Sequence, residues 1–382
     1  MSQPSADNPY TRGVADFVAG LTYDSIPAEI RQRIKLLMLD AFGCGLYAAD
    51  LEWSRILQRT LGGLDTTRAC AVWGAALKLS APHAALINGT QVQGFELDAG
   101  KTVHALGIAG TQACGLMAAQ FGSMVKRMHA GRAAQSGLYG AQLADAGFTG
   151  ILNVFESDYG GFCTTFSRST DRFKLAELTA GFGGVWQTMN VALKFYSCVG
   201  STHSTLNSIR ELQVERAFGA DDVDKIVVHG SEATVNHVGW KYVPQGFTAA
   251  QLNLSYCVAT LLLDGEVFVD QFTEEKLTDS VRMALAARVS VEHDPAITAR
   301  GPKFRQMVRV DIFLKDGTRL ERIREMSRAK ETFAGESAVV KKFETLAAHA
   351  LPAGRARELC NSVLNLEKLD DASRLAELLA AA

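Results

Sequence analysis

The spacing of apolar residues changes from a helical period to a strand period about halfway along this chain of 382 residues. After Ser25 and Pro27, a capping residue and an early proline, apolar side chains recur at helical spacing. They are Ile30, Ile34, Leu37, Met38 and Ala41. Beyond residue 191 alternation appears, as in Val308–Leu314, which leads into an Asp316–Gly317 turn signal. The length is sufficient for two cores, so we expect a helical domain followed by a domain that contains a sheet.

The first part is predicted to be helical throughout. Ser80 and Pro82 open a helix that runs towards Gln93, and a further helix is expected over residues 103–119. The glycines of that second segment are Gly107, Gly110 and Gly115. Each glycine costs a helix about 1 kcal/mol relative to alanine, which is tolerable where neighbouring helices approach closely. We therefore expect a tightly packed central bundle.

The second part is predicted to be a small α+β unit. Strands are expected over 225–229, 289–291, 308–314 and 318–323, and helices over 252–263 and 277–287. This order favours antiparallel strands with helices to one side. From Glu336 the chain returns to helix, with Val339, Phe343 and Leu346 on one apolar face and a last element over 366–379. The predicted fold class is mainly α: an all-helical domain over 1–188, a smaller α+β domain over 192–335, and a helical tail over 336–382 that returns to the first domain.

The charge balance and the cysteines limit the classes of function. With 39 basic against 41 acidic residues the net charge is −2, so the chain as a whole attracts neither nucleic acid nor an anionic membrane. The seven cysteines include no C-x-x-C pair, which favours a reduced intracellular protein with buried thiols. The first residues lack the pattern of a secretory signal, and no apolar run has the length of a membrane span. We expect a cytoplasmic protein.

A basic segment between Gly122 and Ala133 is a candidate anion site. Its cationic or titratable side chains are Lys126, Arg127, His129 and Arg132. These side chains supply donors and positive charge, while Gly122 and Gly131 allow exposed backbone N–H groups at a helix start. A solvated basic loop explains the same residues equally well, since charge near helix ends is common.

Three segments around this site together resemble the MmgE/PrpD family. They are Thr102–Gln112, Lys126–Ala133 and Gly147–Gly150 followed by Phe155–Glu156. The likeness extends over most of the chain, from Leu39–Cys44 to Leu262–Gly265. The family includes 2-methylcitrate dehydratase, cis-aconitate decarboxylase and iminodisuccinate epimerase. The resemblance implies a helical core domain covered by a smaller lid, an active site between them, and a homodimer.

The resemblance also implies a reaction class. Family members act on small polycarboxylates by moving a proton at a carbon next to a carboxylate, and the extra charge of the intermediate is stabilised by cationic donors. No cofactor is expected, and the sequence contains no evident set of metal ligands. The first expectation is a hydro-lyase similar to 2-methylcitrate dehydratase, and decarboxylation or epimerisation stays open.

The resemblance and the spacing within the basic segment together assign roles to individual residues. The expected catalytic residues are Asp98, Lys126, His129, Lys194 and Tyr256, and the expected substrate-binding residues are Arg127, Arg132 and His203. The segment from Lys194 to His203 resembles the hinge between the domains, and Tyr256 would reach the cleft from the lid. Structural alternatives compete: a turn residue at Asp98, an exposed side chain at Lys194, a core residue at Tyr256 and a helix-capping region at His203.

Part of the usual family pattern is missing. Asp98 is followed at once by Ala99–Lys101, where relatives continue through further helices, and Val199 stands where some relatives have a histidine. We therefore expect a helical domain shortened internally after Asp98. The alternative function is a catalytically degraded relative that binds polycarboxylates or serves as an interaction subunit. A dinucleotide-dependent oxidoreductase is poorly supported, because Gly107–Gly110 lacks the G-x-G-x-x-G spacing.

Overall fold

The computed structural model describes residues 8–93, 123–325 and 335–381, together with Gly115 and Ala119. The predictions made for Asp98 and for residues 103–114 lie outside the described residues. The described α-helices are α1 (Pro9–Gly20), α2 (Ala28–Ala48), α3 (Glu52–Leu64), α4 (Ala81–Val92), α5 (Val125–Asp145), α6 (Phe162–Ser167), α7 (Gly200–Glu215), α8 (Glu232–Val238), α9 (Phe247–Leu252), α10 (Leu254–Asp264), α11 (Glu274–Leu277), α12 (Ser280–Ala286), α13 (Pro295–Ala299), α14 (Glu336–Ala347), α15 (Ala353–Leu364) and α16 (Ser373–Leu379). The strands are β1 (Cys70–Ala71), β2 (Lys78–Leu79), β3 (Val223–Gly230), β4 (Val289–His293), β5 (Val308–Leu314) and β6 (Arg319–Arg324). The mainly α class with a smaller sheet is confirmed.

Short 3₁₀ turns complete the described elements. They lie at Tyr23–Ser25, Leu175–Leu178, Gln187–Asn190, Ala220–Asp222, Val269–Gln271, Pro302–Phe304 and Leu366–Lys368. Within the ranges that the structure describes, none of the helices is both long and apolar enough to cross a bilayer.

Helix α2 is the central element of the helical part. It begins directly after Pro27, as predicted. The predicted buried face is only partly right: Ile30 is buried, the other four residues are half-buried, and Leu36, Leu39 and Phe42 lie deeper. The reason is that α4, α14 and α15 all pack against α2, so more than one of its faces is covered.

The C-terminal helices complete this core. Val339, Phe343 and Leu346, the apolar face predicted for α14, are each 0% exposed. Helix α14 packs against α2, and α15 and α16 add further buried side chains to the same cluster. The last predicted element is in fact two pieces, the 3₁₀ turn Leu366–Lys368 and helix α16.

Helices α4 and α5 cross at very short range. A Cβ atom built on Gly131 of α5 would lie 2.1 Å from the carbonyl oxygen of Leu86 and 2.3 Å from Oγ1 of Thr90. A Cβ on Gly89 of α4 would lie 2.8 Å from the Cα of Gly131. Only glycine fits at this crossing, and the contact fixes the helix that carries the basic segment.

The second part contains a four-stranded sheet in the order β4-β3-β5-β6. Strand β5 is antiparallel to both β3 and β6, as predicted, whereas β3 and β4 are parallel. The long connection between β3 and β4 holds α8 to α12, and such a crossover is what a parallel pair requires. The prediction of purely antiparallel strands was therefore wrong for this pair.

The part predicted to be all-helical contains exceptions. The two-residue strands β1 and β2 pair antiparallel, with Cys70 opposite Leu79. Between α5 and α7 the described chain consists mainly of turns, 3₁₀ segments and the short helix α6. Pairs as short as β1 and β2 carry too few residues to show a strand period in the sequence.

Candidate active site

The first turns of α5 carry the basic segment. Lys126 is the second residue of the helix and His129 lies three residues further on, so the two half-buried side chains share one face. Gly115 lies directly against His129, since a Cβ atom built on that glycine would be 3.1 Å from the imidazole Nδ1. Arg132 lies one turn further along and donates to Oε1 of Gln135 at 2.6 Å.

Arg127 points into the protein interior. It is 0% exposed, and its Nη2 donates to Oγ1 of Thr248 at 3.0 Å and to Oε1 of Gln251 at 2.9 Å. Its guanidinium also lies 5.6 Å from the ring centre of Trp53. These contacts connect α5 with α9 and α3. They favour an internal structural role, and substrate binding by Arg127 stays a prediction.

The segment that begins at Lys194 is attached to α9. The carbonyl oxygen and Oγ of Ser197 accept from Nε2 of Gln251 at 3.0 Å and 3.2 Å. The backbone N–H of Val199 donates to the carbonyl oxygen of Gln251 at 3.0 Å. Gln251 therefore contacts both the segment that carries Lys194 and, through Arg127, the helix that carries Lys126 and His129.

Asp40 of α2 is a charged residue near this segment that the residue-by-residue assignment missed. It is 3% exposed, and its Oδ1 lies 2.6 Å from Nζ of Lys342 in α14. Burial raises the pKa of Asp40 and outweighs the opposing positive charges of Lys342, Arg33 and Lys194. The signal available in the sequence was an aspartate inside the apolar pattern of α2, because buried carboxylates are rare unless paired.

His203 lies at the start of α7 beside a buried pair of thiols. Its Nε2 is 3.3 Å from the carbonyl oxygen of Cys198, whose Sγ is 2.9 Å from Oγ1 of Thr202. Burial opposes ionisation of Cys198, but the hydrogen bond from Cys257 and the nearby His203 bring its pKa below the ordinary value. Burial raises the pKa of Cys257. His203 is 5% exposed, which favours the structural alternative.

Tyr256 lies inside the core of the second part. It is 0% exposed, its hydroxyl donates to the carbonyl oxygen of Lys276 at 3.1 Å, and its ring centre is 4.5 Å from that of Tyr242. Burial raises the pKa of the Tyr256 phenol. This geometry favours the core role that competed with catalysis in the sequence analysis.

The structure therefore connects part of the predicted set. Lys126 and His129 share a helix face, and the Arg127–Gln251 contact links that helix to the segment of Lys194. Two surface cavities of about 570 and 470 Å³ lie elsewhere, the first beside α15 and the second beside α6. Neither is lined by a predicted site residue. The candidate site therefore consists of the two linked segments, the start of α5 and the segment that begins at Lys194.

The fold and these segments define a mainly α protein with a small mixed sheet and a basic segment at the start of α5. The model of the MmgE/PrpD N-terminal domain matches residues 12–100 and 95–174, and that of the MmgE/PrpD C-terminal domain matches residues 196–368. The chain belongs to the MmgE/PrpD family.

Two relatives from Aspergillus match almost the whole chain. A cis-aconitate decarboxylase of Aspergillus terreus is 28% identical over 484 aligned positions, covering 99% of this chain and 98% of the relative. A cis-aconitate decarboxylase-like protein of Aspergillus oryzae is 27% identical, covering 97% of each chain. The human cis-aconitate decarboxylase is 28% identical over 74% of this chain and 58% of its own length.

The same comparisons bear on the internal shortening. The alignment with the Aspergillus terreus relative runs over 484 positions, whereas this chain has 382 residues, so at least 102 positions have no counterpart here. The match to the N-terminal domain model is divided in two, and the parts meet at residues 95–100. That point includes Asp98, where the sequence analysis expects the missing block.

Proposed function

We propose that the protein is a lyase that removes a carboxyl group from a small polycarboxylate of the cis-aconitate type. The observation that carries the proposal is the similarity to cis-aconitate decarboxylases over nearly the full length of the chain. This replaces dehydration of 2-methylcitrate as the first choice, because the named relatives are decarboxylases. The cationic segment at the start of α5 supports an anionic substrate of this kind.

The proposed reaction needs charge stabilisation and one proton. The bond to the leaving carboxylate breaks with release of CO₂, and its electron pair is delocalised onto a remaining conjugated carboxylate. Lys126 and Lys194 bind the carboxylates and stabilise that added charge. His129, on the same helix face as Lys126, delivers the proton to carbon, since histidine is the side chain that most often transfers protons in enzymes.

Proton NMR in D₂O tests the proposal. Purified protein is incubated with cis-aconitate, citrate, 2-methylcitrate and iminodisuccinate. We expect loss of cis-aconitate with deuterium at the protonated carbon of the product. His129→Ala should lower kcat by about 10²–10⁴-fold, the contribution usual for an acid–base group. Lys126→Ala should lower kcat by about 10²–10³-fold, the contribution usual for a group that stabilises developing charge. The exposed residues His293 and Lys303 provide matched controls, since His293→Ala and Lys303→Ala should leave turnover unchanged.

The other outcomes have distinct signatures. Water loss or addition without CO₂ release would establish a hydro-lyase and overturn decarboxylation. Binding of cis-aconitate without turnover of any substrate, by protein shown to be folded, would establish the catalytically degraded relative. That second candidate is favoured by the 102 or more aligned positions that this chain lacks. It is also favoured by apolar side chains exposed between α5 and α7, namely Phe148, Ile151, Leu152, Phe166, Phe182 and Val185.

We also propose that the protein is a homodimer, as the family resemblance implies, and that it is cytoplasmic, as its cysteine usage favours. A second copy would cover part of the exposed apolar surface between α5 and α7. Light scattering coupled to gel filtration measures the mass directly, and a monomer at micromolar concentration would contradict the proposed dimer.

A further inference from the structure

We propose that Gln251 is a positioning residue whose side-chain amide holds the start of α5 in a fixed position relative to the segment that begins at Lys194. The part of this inference that concerns rate rests on the proposed function, whereas the part that concerns the relative position of the two segments does not. No role was assigned to Gln251 from the sequence, because an amide in a short apolar helix carries no recognisable motif.

Both the oxygen and the nitrogen of the Gln251 side-chain amide form hydrogen bonds. Its Oε1 accepts from Nη2 of Arg127 at 2.9 Å, and its Nε2 donates to the carbonyl oxygen and Oγ of Ser197 at 3.0 Å and 3.2 Å. Its backbone carbonyl accepts from Val199 at 3.0 Å. Arg127, Ser197 and Gln251 are all 0% exposed. Water does not compete for these hydrogen bonds, so each is strong and directional.

The chemistry of the neighbours fixes the orientation of the amide. A guanidinium only donates and a backbone carbonyl only accepts, so the oxygen of Gln251 must face Arg127 and its nitrogen must face Ser197. Reversing the amide would break both contacts. Thr248 and the ring of Trp53 hold the guanidinium itself in place. The hydrogen bonds that run from Arg127 through Gln251 to Ser197, the Gln251 bridge, therefore have one arrangement.

This arrangement relates the positions of the proposed catalytic side chains. Lys126 precedes Arg127, and His129 follows it by two residues on the same helix. Lys194 precedes Ser197 by three residues. A shift of the amide displaces the two groups of charged side chains relative to each other, and misplacement by about 1 Å is enough to lower a rate about 10²-fold.

Two variants separate the ends of the bridge. Gln251→Leu removes the side-chain hydrogen bonds to Arg127 and Ser197, whereas Gln251→Glu keeps an acceptor for Arg127 and replaces the donor to Ser197. The matched control is Gln213→Leu in α7, which removes an amide hydrogen bond to the backbone carbonyl of Phe218. Native-state hydrogen exchange by mass spectrometry follows the segments 125–132 and 194–203, and circular dichroism verifies folding of each variant.

We expect Gln251→Leu to speed exchange in both segments at least about tenfold, as loss of a bond to a buried charged group implies. Gln251→Glu should speed exchange in 194–203 and leave 125–132 as in the wild type, whereas Gln213→Leu should change neither. Unchanged exchange in 194–203 in Gln251→Glu would overturn the inference, even where Gln251→Leu fails to fold.

The kinetic measurement separates the inference from the proposed function. If the wild type turns over cis-aconitate, Gln251→Glu should lower kcat about 10²-fold with KM little changed. A change in KM alone would mean that Gln251 acts on substrate binding and not on position. An inactive wild type would overturn the proposed function, and the exchange experiment would still decide whether Gln251 couples the two segments.

Discussion

Asp40 and Lys342 form a buried ion pair between helices that lie at opposite ends of the chain. Their charged atoms are 2.6 Å apart, and both side chains are almost completely shielded from water. The attraction offsets a large cost of desolvation, so the pair contributes little net stability compared with apolar residues of the same size. Breaking it from one side is far more costly, because the remaining buried charge loses the opposite charge 2.6 Å away.

We therefore expect Asp40→Asn to lower the free energy of unfolding by about 3–5 kcal/mol. The double variant Asp40→Leu/Lys342→Met should lose less than Asp40→Asn alone, since it leaves neither charge of this pair buried. Urea denaturation measures both values. Arg374→Ala, which breaks exposed pairs with Glu358 and Glu377, is the control and should change stability by less than about 1 kcal/mol. A similarly small effect of Asp40→Asn would contradict the argument.

Single residues were predictable where the evidence was local in sequence. Lys126 and His129 lie in one short basic segment, and the structure places them on one helix face. The burial of Arg127 and the pairing of Asp40 depend on partners such as Gln251 and Lys342, which are distant along the chain. No spacing rule brings such partners together, because tertiary packing decides which side chains meet.

At the scale of elements, the crossing of α4 and α5 determines where the basic segment lies. Gly89 and Gly131 allow the two backbones to touch, and the first turns of α5 carry Lys126 and His129 a few residues before this contact. Close helix packing of the kind expected from small residues is therefore present where α4 and α5 cross. The helix over 103–119 from which it was expected lies mostly outside the described residues.

Gly131→Ala should destabilise the protein by about 1–3 kcal/mol or more, because the added methyl group meets backbone atoms that have no room to move. Gly63→Ala in α3 is the matched control: no atom lies within 4 Å of the added carbon, and the higher helix propensity should raise stability by at most about 1 kcal/mol. Thermal and urea denaturation measure both. Equal effects of the two substitutions would show that backbone contact does not limit this crossing.

Elements were predictable to different degrees. Prolines mark the starts of α2 and α4, although neither helix has the side-chain cap expected from Ser25 and Ser80, and the strands β3 to β6 follow from alternation and turn signals. The parallel pairing of β3 with β4 was not predictable, since both strands show the same local pattern whichever direction their neighbour runs. The buried faces of α2 were only partly predictable, because several helices cover it.

In the molecule as a whole, the two main cores share helices α2 and α14. Leu39 and Phe343 belong to the core built by the C-terminal helices, whereas Cys44 and Leu346 belong to the core that continues into the sheet. A single helix contact thus contributes to both cores. If either the helical part or the sheet unfolded alone, the contact between α2 and α14 would have to break. The two parts should therefore unfold together.

We expect differential scanning calorimetry to show one transition with equal calorimetric and van't Hoff enthalpies. Phe343→Ala should lower the stability by about 3–5 kcal/mol, because it leaves a cavity against α2, and the transition should move without splitting. Val214→Ala, at a side chain 87% exposed, is the control and should shift stability by less than about 0.5 kcal/mol. Two transitions in Phe343→Ala, one of them at the wild-type temperature, would show that the sheet-containing core holds together without this contact, and the shared helices would then not couple the two cores.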